Sequence, residues 1–321
     1  MMDHEIRRVA VLGAGTMGHA LALVHALGGL DVALQDSSPE ALGRAPGLIA
    51  AAFATLIEAG EVSAEAARAA TARIAPTPDA AAAVARADLV VEAVVEVPEV
   101  KRAVFAIVDR HAPAHALIAS NTSYLDPFPL MPEARAARCA VAHWYTPPYI
   151  VDLVDLCAGP GTAPATIAAL DALYLHLGKK PVRMRKFIPG YVANRIQAAI
   201  SLEVFRLLDE GYADAAAIDE AVRHGLALRI PVLGHLMKAD FTGLELTQRL
   251  LAMRYYAPPE PRGRSATLDA LVAAGRTGVL AGAGYFDYGG RAPAELFRER
   301  DLKLLALKRH LRASGELRGG T

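Results

Sequence analysis

His143 is the residue of this chain best placed to move a proton. It ends the apolar run Cys139-Ala140-Val141-Ala142 and precedes Trp144-Tyr145-Thr146-Pro147-Pro148, a rigid aromatic turn. An imidazole titrates near neutrality, and a paired carboxylate fixes its tautomer and raises its pKa. Asp155, on the next strand-like run, is the natural partner, with Asp152 as the competitor. In the polar tip Ser120-Asn121-Thr122-Ser123, the three hydroxyls either donate to a substrate oxygen or cap the following segment. A base, a carboxylate behind it and hydroxyl donors are what a nicotinamide enzyme needs to oxidise an alcohol. His19 and His25, in the first helical stretch, read as packing residues.

A site for such a cofactor can be read near the start of the chain. Val9-Ala10-Val11-Leu12 runs as a buried strand into Gly13-Ala14-Gly15-Thr16-Met17-Gly18. Gly13 allows the tight turn, Gly15 lets a pyrophosphate approach bare backbone, and Gly18 lets the new helix pack on the strand it has left. The anion then lies at the helix N-terminus, where free N–H groups and the macrodipole favour negative charge. Three glycines often do nothing but turn, so context decides. Residues 16–27 are apolar on every side and stop at Gly28-Gly29, and the next strand ends at Asp36, about where a ribose ligand belongs. Asp36 accepting from a 2′-hydroxyl would repel a 2′-phosphate, and Ser37-Ser38 supply no arginine, which favours NAD over NADP. The plainer alternative makes Asp36 a helix cap before Pro39.

These residues need a scaffold, and the pattern supplies one. Strand-like and helical stretches alternate as far as residues 180–184, which predicts an α/β domain with a doubly wound parallel sheet over residues 1–187. Strands expected at 88–94, 116–119, 139–142, 153–157 and 180–184 put Glu96, Ser120 and His143 at carboxyl ends, the ligand side of such sheets. Ile188-Pro189-Gly190-Tyr191 reads as a linker. Beyond it Ile196, Ile200, Val204, Leu207 and Leu208 recur at helical spacing, so residues 188–321 are expected to form an all-α second domain, interrupted by a loop at 258–264.

Composition narrows the partners. Lys+Arg and Asp+Glu number 34 each, so no basic field invites nucleic acid and no polybasic segment invites a membrane. No apolar run is expected to span a bilayer, and the polar start at residues 1–5 is unlike a signal peptide. Cys139 and Cys157, both beside apolar residues, read as buried free thiols in a reducing cytosol, and neither has the spacing of a zinc ligand. A cytoplasmic enzyme acting on a small molecule is the expectation.

Taken together, six stretches resemble the 3-hydroxyacyl-CoA dehydrogenases. They are residues 13–18; Val90-Val91-Glu92-Ala93-Val94-Val95-Glu96 followed by Lys101; Ser120-Asn121-Thr122-Ser123; His143 with Pro147; Pro189-Gly190-Tyr191-Val192-Ala193-Asn194-Arg195; and Gly282-Ala283-Gly284-Tyr285-Phe286-Asp287-Tyr288. The resemblance implies a Rossmann-type domain, a His143–Asp155 dyad, substrate-oxygen contacts from Ser123 and Asn194, and Glu96, Lys101 and Asn121 near the cofactor. It also implies a helical second domain that dimerises and helps form the cleft.

Three departures from the family pattern matter. The family usually has glutamate at Asp155, and the missing methylene removes about 1.5 Å of reach, so the dyad is expected to need a strand shift or a bridging water. It usually has asparagine at Thr146. Residues 39–61 carry a single base, Arg44, which is thin provision for the phosphates of coenzyme A. The paired prolines after His143 look more like relatives that oxidise free hydroxy acids or alcohols, such as the carnitine, gulonate and pyridine-carboxylate dehydrogenases. Arg223, Arg229 and Lys238 are then candidates to hold a free carboxylate, or are solvated surface charges. Hydride transfer between NAD and the 3-hydroxyl of a hydroxyacyl-CoA or small hydroxy acid is the resulting expectation. The alternative is a catalytically silent, crystallin-like NAD-binding protein.

Overall fold

The computed structural model describes residues 6–317; the polar start at residues 1–5 lies outside them. The chain divides into two compact units, the first ending at Tyr191 and the second beginning at Val192. The sequence pattern had set that boundary at 187/188. The linker residues prove to belong to the first unit because Tyr191 is buried in its core, with its hydroxyl donating to the Thr122 carbonyl at 2.8 Å.

In the first unit eight strands form one sheet in the order β3-β2-β1-β4-β5-β6-β7-β8. They are β1 (Arg8–Leu12), β2 (Asp31–Gln35), β3 (Ile74–Thr77), β4 (Leu89–Glu92), β5 (Leu117–Ser120), β6 (Cys139–Trp144), β7 (Leu153–Ala158) and β8 (Lys180–Met184). The helices are α1 (Gly18–Leu27), α2 (Pro39–Glu58), α3 (Ala64–Ala72), α4 (Ala80–Val84), α5 (Pro98–His111) and α6 (Pro164–His176). The order in which successive strands are added switches sides between β1 and β4, which are themselves parallel, and this is the crevice where open α/β sheets bind ligands. β4, β5 and β6 are buried along their whole length, as expected for central strands covered by helices on both faces.

The sheet is not parallel throughout. β7 runs antiparallel to β6, and β8 follows β7, so the last two strands are reversed. Only residues 145–152 join β6 to β7, whereas a parallel return needs about a dozen or more. The reversal sets the site geometry, because the antiparallel register places His143 directly opposite Asp155.

On the face that carries His143, Ala10, Leu12, Val90 and Ile118 pack with Phe105 and Val108 of α5. On the other face Trp144 meets His25 of α1 and Tyr174 of α6, with ring centroids 5.6 and 5.0 Å apart. α2 is long and apolar enough by length and composition to cross a membrane, contrary to the expectation that no run is. It nevertheless behaves as a core helix: Ala41, Ala45, Ile49, Ala52, Phe53 and Leu56 recur at helical spacing and are buried. Ser38, not Asp36, caps it by accepting from the Ala41 N–H.

The second unit is helical among its described residues. Its helices are α7 (Ala193–Asp209), α8 (Ala215–Ala221), α9 (Ile230–Leu233), α10 (Leu236–Thr242), α11 (Leu244–Met253), α12 (Ala266–Ala273) and α13 (Pro293–Ala313), with a π-helical turn at Val222–Ala227. Asp209 ties two of them together: its carboxylate accepts from the Ser265 hydroxyl and from the backbone N–H groups of Ala266 and Thr267 at the start of α12. Leu236, Phe241, Leu244, Leu251 and Tyr255, on and just after α10 and α11, are strongly exposed.

Candidate active site

His143 sits at the penultimate position of β6, fully buried. Its Nδ1 lies 3.4 Å from Asp155 Oδ2, and its Nε2 lies 3.1 Å from Ser123 Oγ. With Nδ1 protonated toward the carboxylate, Nε2 is the basic nitrogen and the Ser123 hydroxyl donates to it. The ring is held on both sides: Tyr191 stacks on it at 4.7 Å between centroids, and Tyr145 meets it edge-on at 4.6 Å. At 3.4 Å the shorter aspartate reaches the imidazole without a bridging water. The β6–β7 register alone brings the two side chains face to face, at a distance long for a hydrogen bond but short for a charge pair. Asp152 is not the partner: it lies 3.6 Å from the Lys179 ammonium.

Asp155 carries a contact that the sequence did not reveal. The Tyr145 hydroxyl donates to Oδ2, the oxygen facing His143, at 2.6 Å, while Oδ1 is buried with no hydrogen-bond partner. Tyr145 had registered only as part of an aromatic turn.

Ser123 is aimed at His143 by a carboxylate. Glu96 Oε1 accepts from the Thr122 hydroxyl at 2.6 Å and from the N–H groups of Ser123, Tyr124 and Leu125 at 2.9 to 3.1 Å. Burial alone would raise the Glu96 pKa, but the Thr122 hydroxyl, the backbone donors and the Lys101 ammonium outweigh it and hold the carboxyl down at about 2. Lys101 is itself buried, with Nζ 2.7 Å from Glu92 Oε1 and 3.1 Å from Glu96 Oε2. The other Glu92 oxygen accepts from the Ser120 hydroxyl at 2.5 Å. The chain Ser120–Glu92–Lys101–Glu96 thus joins the ends of β4 and β5 beneath the Ser123 loop. Glu92 read only as a member of the strand expected at 88–94 and of a family-like stretch, and no periodicity marks such a pair. Asn121 Oδ1 accepts from the Trp144 N–H at 2.8 Å and locks the β5 tip to the β6 tip. Asn194 belongs to the second unit, in the first turn of α7.

The glycine turn has the shape a dinucleotide requires. Gly13 has φ +99°, and a Cβ there would stand 2.5 Å from the Ala93 carbonyl oxygen; a Cβ on Gly18 would stand 1.6 Å from the Gly13 carbonyl oxygen. Gly15 is exposed, and a Cβ built on it would meet nothing within 4 Å, so its backbone is open to a ligand. No side chain caps α1 and no acidic residue stands in its first turn, which leaves its N–H groups available to an anion. Asp36 Oδ2 accepts from the Ala14 N–H at 2.7 Å, tying the turn to the end of β2, and Oδ1 accepts from the Ser38 N–H. Each oxygen keeps a lone pair for a ribose hydroxyl. Thr16 is exposed and Met17 half-buried, with the Thr146 hydroxyl 3.0 Å from the Met17 sulfur. The residues present therefore fit NAD.

The remaining candidates divide. His25 is buried and pulled by burial down to about 4, so it is a neutral core residue. His19 does more than pack: its Nδ1 lies 2.8 Å from the Gly15 carbonyl oxygen, and burial lowers its pKa. Burial pushes the Cys139 thiol up to about 12 and the Cys157 thiol up to about 11, so neither is a nucleophile near neutral pH. Arg223 pairs with Asp219, and Arg229 donates to the Gly225 carbonyl. Arg44, the lone base of α2, is an exposed partner of Glu40.

Two family models match in sequence order: the 3-hydroxyacyl-CoA dehydrogenase NAD binding domain over residues 8–187, and the 3-hydroxyacyl-CoA dehydrogenase C-terminal domain over residues 190–288. The chain is similar to the 5-formyl-3-hydroxy-2-methylpyridine 4-carboxylate 5-dehydrogenase of Mesorhizobium japonicum, at 31% identity over 95% of this chain and 98% of that one. It is also similar to the L-carnitine dehydrogenase of Streptomyces griseus, at 33% identity over 98% of this chain and 91% of that one. Among solved structures it resembles a 5-formyl-3-hydroxy-2-methylpyridine 4-carboxylic acid 5-dehydrogenase described as an NAD+ dependent dismutase, with a TM-score of 0.83, 30% identity and coverage of 96% and 99% of the two chains. The chain belongs to the 3-hydroxyacyl-CoA dehydrogenase family and is an NAD-dependent oxidoreductase.

Proposed function

We propose that the protein transfers hydride between NAD and the 3-hydroxyl of a small free hydroxy acid, with His143 as the acid–base group. The observation that carries this reading is the imidazole held between Asp155 and Ser123 at the carboxyl end of β6, on the same edge as the glycine turn. Bound NAD supplies the hydride acceptor. His143 Nε2 takes the hydroxyl proton, Asp155 offsets the charge that develops on the ring, and the Ser123 hydroxyl turns from Nε2 to hold the substrate oxygen. Asn194 is assigned a second contact to that oxygen. Asp36 is assigned the ribose, with Gly13, Gly15, Thr16, Met17 and Gly18 around the pyrophosphate and Asn121 lining the same edge. Glu96 and Lys101 are assigned to holding the Ser123 loop in register with His143.

The preference for a free acid rests on α2. A thioester substrate brings a nucleotide with several phosphates, and the only base in residues 39–61 is already paired with Glu40. The pyridine carboxylate and carnitine relatives favour the same reading. The family's own description favours a 3-hydroxyacyl-CoA, so the deciding experiment sets the two classes side by side. NADH formation is followed with 3-hydroxybutyryl-CoA, free 3-hydroxybutyrate, carnitine and gulonate. Turnover of a free acid without the thioester is expected; turnover of the thioester alone would overturn the preference. Silence on every substrate with NAD still bound would support the crystallin-like alternative.

The exposed apolar residues of α10 and α11 support a homodimer joined through the second unit. Light scattering is expected to give about twice the chain mass of 33.9 kDa, and a single-chain mass would contradict it. Two buried free thiols suit a cytoplasmic enzyme.

A further inference from the structure

We infer that Tyr145 is a positioning residue for the His143–Asp155 pair, its hydroxyl holding Asp155 Oδ2 and setting how strongly that carboxylate engages the imidazole. The inference rests on the assignment of His143 as the acid–base group. Two donors converge on one oxygen at unequal distances: the phenol at 2.6 Å and His143 Nδ1 at 3.4 Å. The short bond holds the carboxylate, and the long one is what remains for the histidine. The other oxygen has no partner in its buried setting, so the carboxylate has no alternative anchor. Tyr145 comes from the turn that leaves β6 and Asp155 from β7, so the contact spans the hairpin that the antiparallel register creates.

The consequence is electrostatic. A buried carboxylate beside an imidazole stabilises the imidazolium, and a base that stays protonated cannot accept the substrate proton. A phenol donating to the same oxygen draws off part of that charge and keeps the carboxylate at arm's length. An aspartate needs such restraint because nothing else fixes its second oxygen.

The other groups facing His143 cannot replace this control. Cys157 of β7 is pushed up to about 11 by burial and by Asp126 and Asp155. Tyr191, stacked on the ring, is raised by burial, Cys157, Glu96, Asp155 and Tyr145. Both stay neutral near neutral pH. Glu96 stays charged, and Ser123 carries no charge.

The test is titration of the His143 ring nitrogens by NMR in the full chain, which needs no substrate. In Tyr145→Phe, Asp155 Oδ2 is released and closes on Nδ1. The His143 pKa is expected to rise by roughly half a unit to one unit, and the acid limb of kcat/KM to rise with it. Asp155→Asn should remove the effect, so that Asp155→Asn and the Tyr145→Phe/Asp155→Asn double variant titrate alike. An unchanged or lowered pKa in Tyr145→Phe overturns the inference. So does an equal rise in both backgrounds, which would place the effect in the edge-on ring contact rather than in the hydroxyl. The two failures are distinguishable: if His143→Gln keeps full turnover, the base assignment fails; if His143→Gln is inactive and Tyr145→Phe titrates as wild type, only the role of Tyr145 fails.

Discussion

His143→Gln is expected to lower turnover by about 10²–10⁴-fold, the range that a positioned acid–base group contributes, and to leave NAD affinity nearly intact. Glutamine keeps much of the volume and can still hydrogen-bond toward Ser123, but it has no nitrogen that takes up a proton near neutral pH. The groups assigned to the dinucleotide, the turn from Gly13 to Gly18 and Asp36, lie at β1 and β2, three and four strand positions from β6 in the sheet. Cofactor binding, followed by the quenching of protein fluorescence or by calorimetry, should therefore survive the change while NADH formation does not. Turnover that survives would remove His143 from the chemistry, and a parallel loss of NAD binding would point to a folding defect rather than to a missing base.

The second large effect is on stability. Lys101→Met should destabilise the fold by roughly 3–5 kcal/mol, the usual cost of removing one partner from a buried ion pair. Lys101 and Glu92 are both buried, and Glu92 keeps only the Val94 N–H and the Ser120 hydroxyl once the ammonium is gone. Combining Lys101→Met with Glu92→Gln removes the buried charge left at position 92 and should recover part of the loss. Urea denaturation of the single and the double variant, each against wild type, measures both quantities. A cost below about 1 kcal/mol for Lys101→Met would mean that Glu92 is neutralised or hydrated cheaply, contrary to its enclosed position.

Much of the site could be read from sequence because it stands at the ends of strongly patterned elements. The apolar run from Cys139 is too regular to be a loop, and His143 follows it directly, so the strand end and the base come from one observation. The glycine turn was legible for a similar reason. Gly13 and Gly18 cannot carry a Cβ in this backbone, and that constraint is written in their spacing.

What was hidden is relational. The run from Leu153 to Ala158 is equally apolar in either direction, so pattern alone suggested a parallel strand; the eight residues between it and Trp144, too few for a helical crossover, were the signal available. Tyr191 looked like part of a linker because it follows Pro189-Gly190, yet it stacks on the His143 ring, its backbone at φ +48° after the turn. Glu92 and Lys101 meet only because α5 folds back over the end of β4, and nothing in a list of neighbours along the chain discloses it. The shorter Asp155 read as a weakness of the dyad. The structure adds Tyr145 to the same oxygen, a contact visible only once the hairpin is closed.

The central claim is that a carbon-bound hydrogen beside a hydroxyl passes directly to NAD at this site. The measurement that tests it most directly uses 3-hydroxybutyrate, or whichever hydroxy acid or thioester of the panel is turned over, carrying deuterium at C3. Mass spectrometry of the reduced cofactor should find the deuterium on the nicotinamide ring in the wild-type enzyme, with label transfer lost in His143→Gln. Deuterium recovered in solvent water, or NAD bound but unlabelled and unreduced across the whole panel, would contradict the account.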